Sequence, residues 1–192
     1  LNNTIFKING YGKGMIVTSS RLHCVKYKLE VDRQLKERGI KIKSLVGFSG
    51  RVIDEDTNQE YTESSMNGFS DKETEITFKK PEYRILIVNN KFQTGFDEPL
   101  LHSMFIDKPV NGVQCVQTLS RLNRKTRGKK STFVLDFVNK VETIQESFQN
   151  FYQTTILSED TDPNLVYDIL DKIRNHHLFT PQEVDDWNNT FF

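Results

Sequence analysis

Apolar residues gather in five short runs along the chain: Met15–Thr18, Ser44–Phe48, Ile85–Val88, Met104–Asp107 and Phe133–Phe137. Each run is a near-continuous block rather than an apolar–polar alternation, the pattern of strands covered on both faces in a parallel sheet. Between the first two runs, Leu22, Val25, Leu29 and Leu35 fall on roughly one face of a helix predicted over Arg21–Arg38, with Ser20 as its N-cap and Gly39 as its stop. A strand–helix–strand unit of this length requires a right-handed crossover. The expected class is therefore α/β, a doubly wound, mostly parallel sheet with helices on both faces.

The segment from Arg51 to Lys80 is polar and weakly periodic; Asp54–Glu60 reads as a surface loop and Tyr61–Asp71 as a short helix. Beyond Asn139 the pattern turns wholly helical. Ile144, Phe148 and Phe151 form an apolar stripe within Val141–Thr155, and Pro163 and Pro181 stand at first helical positions. The plan is a lead-in over 1–13, a sheet domain over 14–140 and a helical extension over 141–192.

Composition narrows the class. With 192 residues, 36% of them hydrophobic and 27% charged, the chain can bury the core of one ordinary globular domain plus an appendage. No apolar stretch reaches the roughly 18 residues of a membrane span, so no membrane association is expected. The start at Leu1 hints at a fragment, and no secretory leader is apparent there. Cys24 and Cys115 are too far apart in sequence to form a metal-type pair, and the expected setting is reduced and cytoplasmic.

Net charge is zero, yet its distribution is uneven. Residues 1–50 hold ten Lys/Arg against three Asp/Glu, residues 51–82 four against nine, residues 83–130 nine against three, and residues 158–192 two against eight. Two basic blocks around an acidic insert suit a domain with one phosphate-facing side.

Three segments carry candidate chemistry, each expected at a carboxyl end of the sheet, where ligands of such folds sit. Val17-Thr18-Ser19-Ser20-Arg21 offers hydroxyls and backbone N–H groups that can hold a phosphate, or simply cap a helix. Asn89 to Pro99 contains Thr94, with a hydroxyl for a nucleic-acid phosphate, Gly95, which permits an unusual backbone angle, and Asp97, which can orient an arginine or a water. Gln117-Thr118-Leu119-Ser120-Arg121-Leu122-Asn123-Arg124 puts two arginines three apart, on one face if helical, and opens a strongly basic stretch that ends at Lys130. Guanidinium groups held by a helix can steady charge on a departing phosphate, although such stretches are also common solvated surface. Among the remaining candidates, His102 reads as a packed histidine and adjacent His176 and His177 as a poor metal pair. Asp136 reads as a strand-end or capping carboxylate, and Trp187, Phe191 and Phe192 as packing residues.

The order of these segments resembles motifs IV, V and VI of the second RecA-like lobe of superfamily 2 helicases and translocases. Lys91-Phe92-Gln93-Thr94-Gly95-Phe96-Asp97-Glu98-Pro99-Leu100-Leu101-His102, Thr118 to Arg124 and Val134-Leu135-Asp136-Phe137-Val138-Asn139 are similar to the motor of type I restriction enzymes, in the restriction (R) subunit. The likeness runs from about Gly14 to Asn139 and continues more loosely around Thr161–Asn164. Ser120 stands where many relatives carry glycine, a small-for-small exchange. No G-x-x-x-x-G-K-[ST] phosphate loop and no matching acidic strand occur, so the chain is expected to supply half of a cleft.

From this resemblance, Arg121 and Arg124 would face the polyphosphate of ATP, Gln117 would lie near the nucleotide, and Gly95 and Asp97 would help organise that interface. Thr18, Ser19, Arg21 and Thr94 would touch the backbone of double-stranded DNA. ATP and Mg²⁺ would be held mainly by a preceding RecA-like lobe. Methyltransferase and specificity subunits would complete a prokaryotic assembly, and the isolated chain would be inactive. Two other readings remain open: a non-catalytic nucleic-acid or protein-binding module, and an α/β enzyme whose arginines bind a small phosphorylated substrate.

Overall fold

The computed structural model describes residues 4–93 and 95–155 together with Gln182, Glu183, Asp186 and Asn189. The chain divides into two compact units, Leu1–Asn150 and Phe151–Phe192. The readings placed on Thr94, Pro163, Pro181, His176, His177, Trp187, Phe191 and Phe192 lie outside the described residues.

In chain order the elements are β1 Lys13–Thr18, α1 Arg21–Glu37, β2 Lys43–Gly47, β3 Arg51–Asp54, β4 Gln59–Thr62, α2 Glu63–Asn67, α3 Thr74–Phe78, β5 Tyr83–Val88, β6 Leu101–Asp107, α4 Gly112–Leu119, β7 Phe133–Asp136 and α5 Val141–Thr155. Five strands form one sheet in the order β2-β5-β1-β6-β7, parallel throughout. The chain leaves β1 for the β2 edge, returns to β5, crosses β1 to reach β6, and continues outward to β7. Right-handed crossovers then send α1 to one face and α3 and α4 to the other, so the sheet is doubly wound.

Each face has its own core. Cys24, Val25 and Leu35 of α1 pack on Val46, Ile85 and Ile87. On the opposite face Met15, Val17, Leu86, Met104 and Ile106 meet Phe78, Phe96, Cys115 and Leu122. Ile144 and Phe148 of α5 pack against this second core, which ties the start of that helix to the sheet unit. Residues 4–12 fold back on the sheet as turns, with Thr4 and Ile8 buried. Among the described residues no helix is long and apolar enough to cross a membrane.

Three expectations need correction. Asp54–Glu60 is not simply a loop: its ends belong to the antiparallel hairpin of β3 and β4, and α2 covers only the first part of the helix predicted over Tyr61–Asp71. One face of that hairpin rests Val52 and Tyr61 on the α1-side core, but the other carries Arg51, Ile53 and Glu60 exposed and the buried face includes Asp54, so no apolar alternation announces it. The buried face of α1 is also rotated from the predicted one, since Cys24, Val25, Lys28 and Leu35 are buried while Leu29 is half exposed. Lys28 enters that face because its ammonium meets Asp32 at 2.6 Å and the Ser44 carbonyl at 2.9 Å. Ser20 caps α1 as expected, accepting from the His23 N–H at 3.1 Å.

Candidate functional site

Loop 89–100 leaves the carboxyl end of β5, crosses one face and enters β6. Both ends are held firmly. At its start, the Asn89 amide donates to the Thr18 carbonyl at 2.9 Å, and Gln93 donates to the Asn89 carbonyl. Lys91 binds both carboxylate oxygens of Glu63, at 2.9 and 3.1 Å; Glu63 also accepts from the Phe48 N–H and the Thr74 hydroxyl. At its finish, Glu98 pairs with Lys13 at 3.1 Å in the interior, where burial lowers the lysine pKa and Glu98 opposes that shift. Phe92 lies between these anchors with φ +66°, a left-handed conformation uncommon for a bulky residue. Its ring fits against Gly47, where a Cβ would meet it at 2.6 Å, and packs on Phe96 with centroids 5.4 Å apart.

The two arginines converge on this loop. The Arg121 guanidinium donates to the Gln93 carbonyl at 3.2 Å and to the Phe96 carbonyl at 3.1 Å, spanning the loop backbone. Arg124 meets the Asp97 carboxylate at 3.0 Å with both side chains more than half exposed, which leaves this pair open to exchange with a ligand. Gly95 has φ +69° and open space around its Cα, consistent with the backbone freedom expected of it. Gln117 is exposed on α4, one helical turn before Arg121.

The arginines do not share a helical face, and the expectation that they do is corrected. The α-helix ends at Leu119; Arg121 belongs to a 3₁₀ turn over Ser120–Asn123, and Arg124 is extended. Nor does Arg124 sit with the strand carboxyl ends, whereas Arg121 reaches the carbonyl of Gln93, which is bonded back to Asn89 just after β5. From the carboxyl end of β6, α4 runs back roughly 12 Å toward the amino edge. Lys129 marks the position, donating to the carbonyls of Leu122, Arg124 and Pro99, two residues before β6 begins.

The carboxyl edge carries a different set. Thr18 is fully buried and its hydroxyl lies within 3.1 Å of Ser20 O, Val88 O and Cys24 Sγ, so the expected DNA contact through its side chain is corrected. Burial pushes the Cys24 thiol up to about 11. Ser19 and Arg21 are exposed, with Ser19 Oγ 2.6 Å from His23 Nδ1 and Arg21 donating to the Arg51 carbonyl at 3.2 Å. Asp136 caps its own turn, accepting from the Val138 and Asn139 N–H groups and the Asn139 amide, as a strand-end carboxylate should. His102 is buried with Nδ1 2.9 Å from Ser103 Oγ, in keeping with a packed histidine.

Sequence reasoning missed Glu63, Lys13 and Glu98. Each is an ordinary charged residue in the chain and becomes notable only when burial pairs it with a distant partner. One signal was present: a helix cap and a glutamate side by side at Thr62-Glu63, after a polar stretch.

These features define a class: a doubly wound α/β lobe with an arginine pair braced by an Asp-bearing loop. Residues 52–139 match the family described as Type I restriction enzyme subunit R domain 3. A Methanocaldococcus jannaschii protein named for the type I restriction enzyme MjaVIIP endonuclease subunit is 31% identical over 173 residues, 82% of this chain and 16% of that protein. The Haemophilus influenzae type I restriction enzyme HindI endonuclease subunit is 27% identical over 74% of this chain and 14% of its own length. The chain belongs to the R-subunit family of type I restriction enzymes and spans about one sixth of the length of the curated relatives it matches. The solved structure of the ATP-dependent Type ISP restriction-modification enzyme LlaBIII bound to DNA aligns at 18% identity and a TM-score of 0.44, over 66% of this chain and 8% of that one. A likeness of that size carries no part of the assignment.

Proposed function

We propose that this chain is the second motor lobe of an ATP-dependent DNA translocase within a type I restriction endonuclease. The observation that carries the reading is the meeting of Arg121 and Arg124 on the 93–97 loop, from segments more than twenty residues apart in sequence. Together they form one cationic unit on a scaffold fixed by two buried carboxylates, Glu63 and Glu98.

The two guanidiniums divide the work. Arg121 spends its donors on loop carbonyls and is a positioning residue. Arg124 is the finger: its planar fork leaves Asp97 to grip phosphate oxygens when a preceding lobe presents ATP with Mg²⁺. When bound, the nucleotide supplies the phosphoryl group and the charge that the fork steadies. Asp97 then holds Arg124 in reach between cycles, and Gln117 and Gly95 line the approach. Ser19, Arg21 and Thr94 grip DNA backbone without reading bases, and closing and opening of the lobes moves that grip along the duplex. Methyltransferase and specificity subunits complete the assembly, and cleavage belongs to a part of the subunit outside this segment.

The test uses the intact R subunit. Arg124→Ala is expected to lower ATP turnover by roughly three to five orders of magnitude while leaving DNA binding in place. Arg124→Lys is expected to recover little, because a point charge lacks the fork. Wild-type turnover in Arg124→Ala would reject the finger and favour a non-catalytic binding module instead.

A further inference from the structure

The carboxyl edge holds a cation that no part of the proposed motor uses. Lys108 follows β6 directly and is only 9% exposed. Buried lysines elsewhere in the sheet unit have a carboxylate: Lys13 has Glu98 at 3.1 Å and Lys28 has Asp32 at 2.6 Å. Among the described residues Lys108 has none within ion-pair distance, and its single hydrogen bond goes to a neutral group, the Asn90 side-chain oxygen, at 2.8 Å. The neighbouring Asp107 carboxylate is engaged by the Tyr27 hydroxyl at 2.9 Å, and Asp136 is engaged by its own turn. Burial lowers the Lys108 pKa. Removing an ammonium from water without a countercharge is costly.

Its position is specific. Asn90 follows β5 and Lys108 follows β6, with β1 between them in the sheet. At about 4.8 Å per strand, the Lys108–Asn90 bond must cross the end of β1, above the turn that carries Ser19 and starts α1. The connections from β1 and β6 leave on opposite faces here. This is the switch point of the sheet, where such folds open a crevice for ligands. Both ends of Lys108 are held: Asn139 donates to its carbonyl at 2.9 Å while Asn90 receives its amine. Two ammonium donors remain for a ligand.

We infer that Lys108 is a seat for a backbone phosphate of a nucleic-acid strand crossing the carboxyl edge beside Ser19 and Arg21. The inference rests on the DNA-translocase reading and adds to it a contact that is buried, preorganised and insensitive to base sequence. A nucleotide phosphate has the same chemistry, but the proposed finger Arg124 lies toward the other edge of the sheet, which favours nucleic acid at this one.

The experiment compares intact R subunit with Lys108→Gln, Lys108→Arg and Arg21→Ala, titrating a short DNA duplex at several salt concentrations and measuring KM for ATP. Lys108→Gln is expected to reduce the slope of log K against log salt by about 0.9, one phosphate contact. Lys108→Arg should keep the wild-type slope, and KM for ATP should stay unchanged in both. An unchanged slope in Lys108→Gln alongside a reduced one in Arg21→Ala overturns the Lys108 seat and leaves the DNA reading standing. Unchanged slopes in both variants remove this edge from DNA binding altogether. A raised KM for ATP with an unchanged slope reassigns the cation to nucleotide and overturns the inference. Should Lys108→Gln fail to fold, amine acylation of the wild type gives the answer: duplex, and not ATP, is expected to protect Lys108 at least threefold, and absence of protection overturns the seat.

Discussion

Arg121 and Arg124 look equivalent in the chain, and their surroundings make them different. One is committed to two backbone carbonyls, the other to an exposed carboxylate that a ligand can replace. Arg121→Ala should therefore act through the loop. We expect a loss of about 1–2 kcal/mol of stability, read by denaturant melts, together with faster amide exchange across 93–97. A variant as stable as wild type with unaltered exchange would refute the clamp. Glu63 is the stronger case because its carboxylate collects Lys91, Phe48 N–H and the Thr74 hydroxyl while almost fully buried. Glu63→Ala leaves the Phe48 N–H without its acceptor and Lys91 without its carboxylate, with only the Asp71 carbonyl at 3.3 Å still accepting from it, for an expected cost of about 3 kcal/mol. Its melting point should fall by several degrees, and a melt within one degree of wild type would contradict this account.

Loop 89–100 acts as an element although it lacks regular structure. Phe92 in a left-handed conformation, Gly47 beneath its ring, and the Glu63 and Glu98 anchors hold its backbone where both arginines can reach it. Gly47→Ala is the direct probe, since the added methyl would collide with the Phe92 ring at 2.6–2.7 Å. Overpacking of this kind costs about 1–3 kcal/mol. ATP turnover of the intact subunit should drop with it; full activity and stability would mean that Phe92 does not set the loop. Neighbouring helices also depend on contacts beyond their own sequence. Asn111 makes no side-chain cap for α4, and Ser147 of α5 caps the Gly112 N–H instead at 2.9 Å. The helix predicted to carry both arginines stops at Leu119, and the loop carbonyls then take the Arg121 side chain.

The doubly wound sheet separates two surfaces, with Arg124 toward the amino edge and Ser19, Arg21 and Lys108 at the carboxyl edge. A motor needs such separation, because nucleotide state must be felt at a distance by the part that grips DNA. On the proposed reading this chain supplies one wall of a nucleotide cleft and a preceding lobe the other. Phosphate release by the isolated chain should match the buffer blank with or without DNA. Turnover above that blank which Arg124→Ala abolishes would show that no second lobe is needed.

The strand blocks, the capped first helix, the α/β class and the family resemblance were all legible in the chain, because apolar blocks and capping residues act over a few positions; the expected cover on both faces fails for β7, which at the sheet edge leaves Val134 and Leu135 exposed. The candidate segments were legible too, as residues of the right chemistry in the right order. Their geometry was not. Whether Thr18 is exposed, which arginine is free, and that Lys13, Glu63 and Lys108 matter all depend on strand order and on partners up to 85 residues away, as in the Lys13–Glu98 pair. Burial and pairing are properties of the packed sheet, and no local pattern of side chains encodes them.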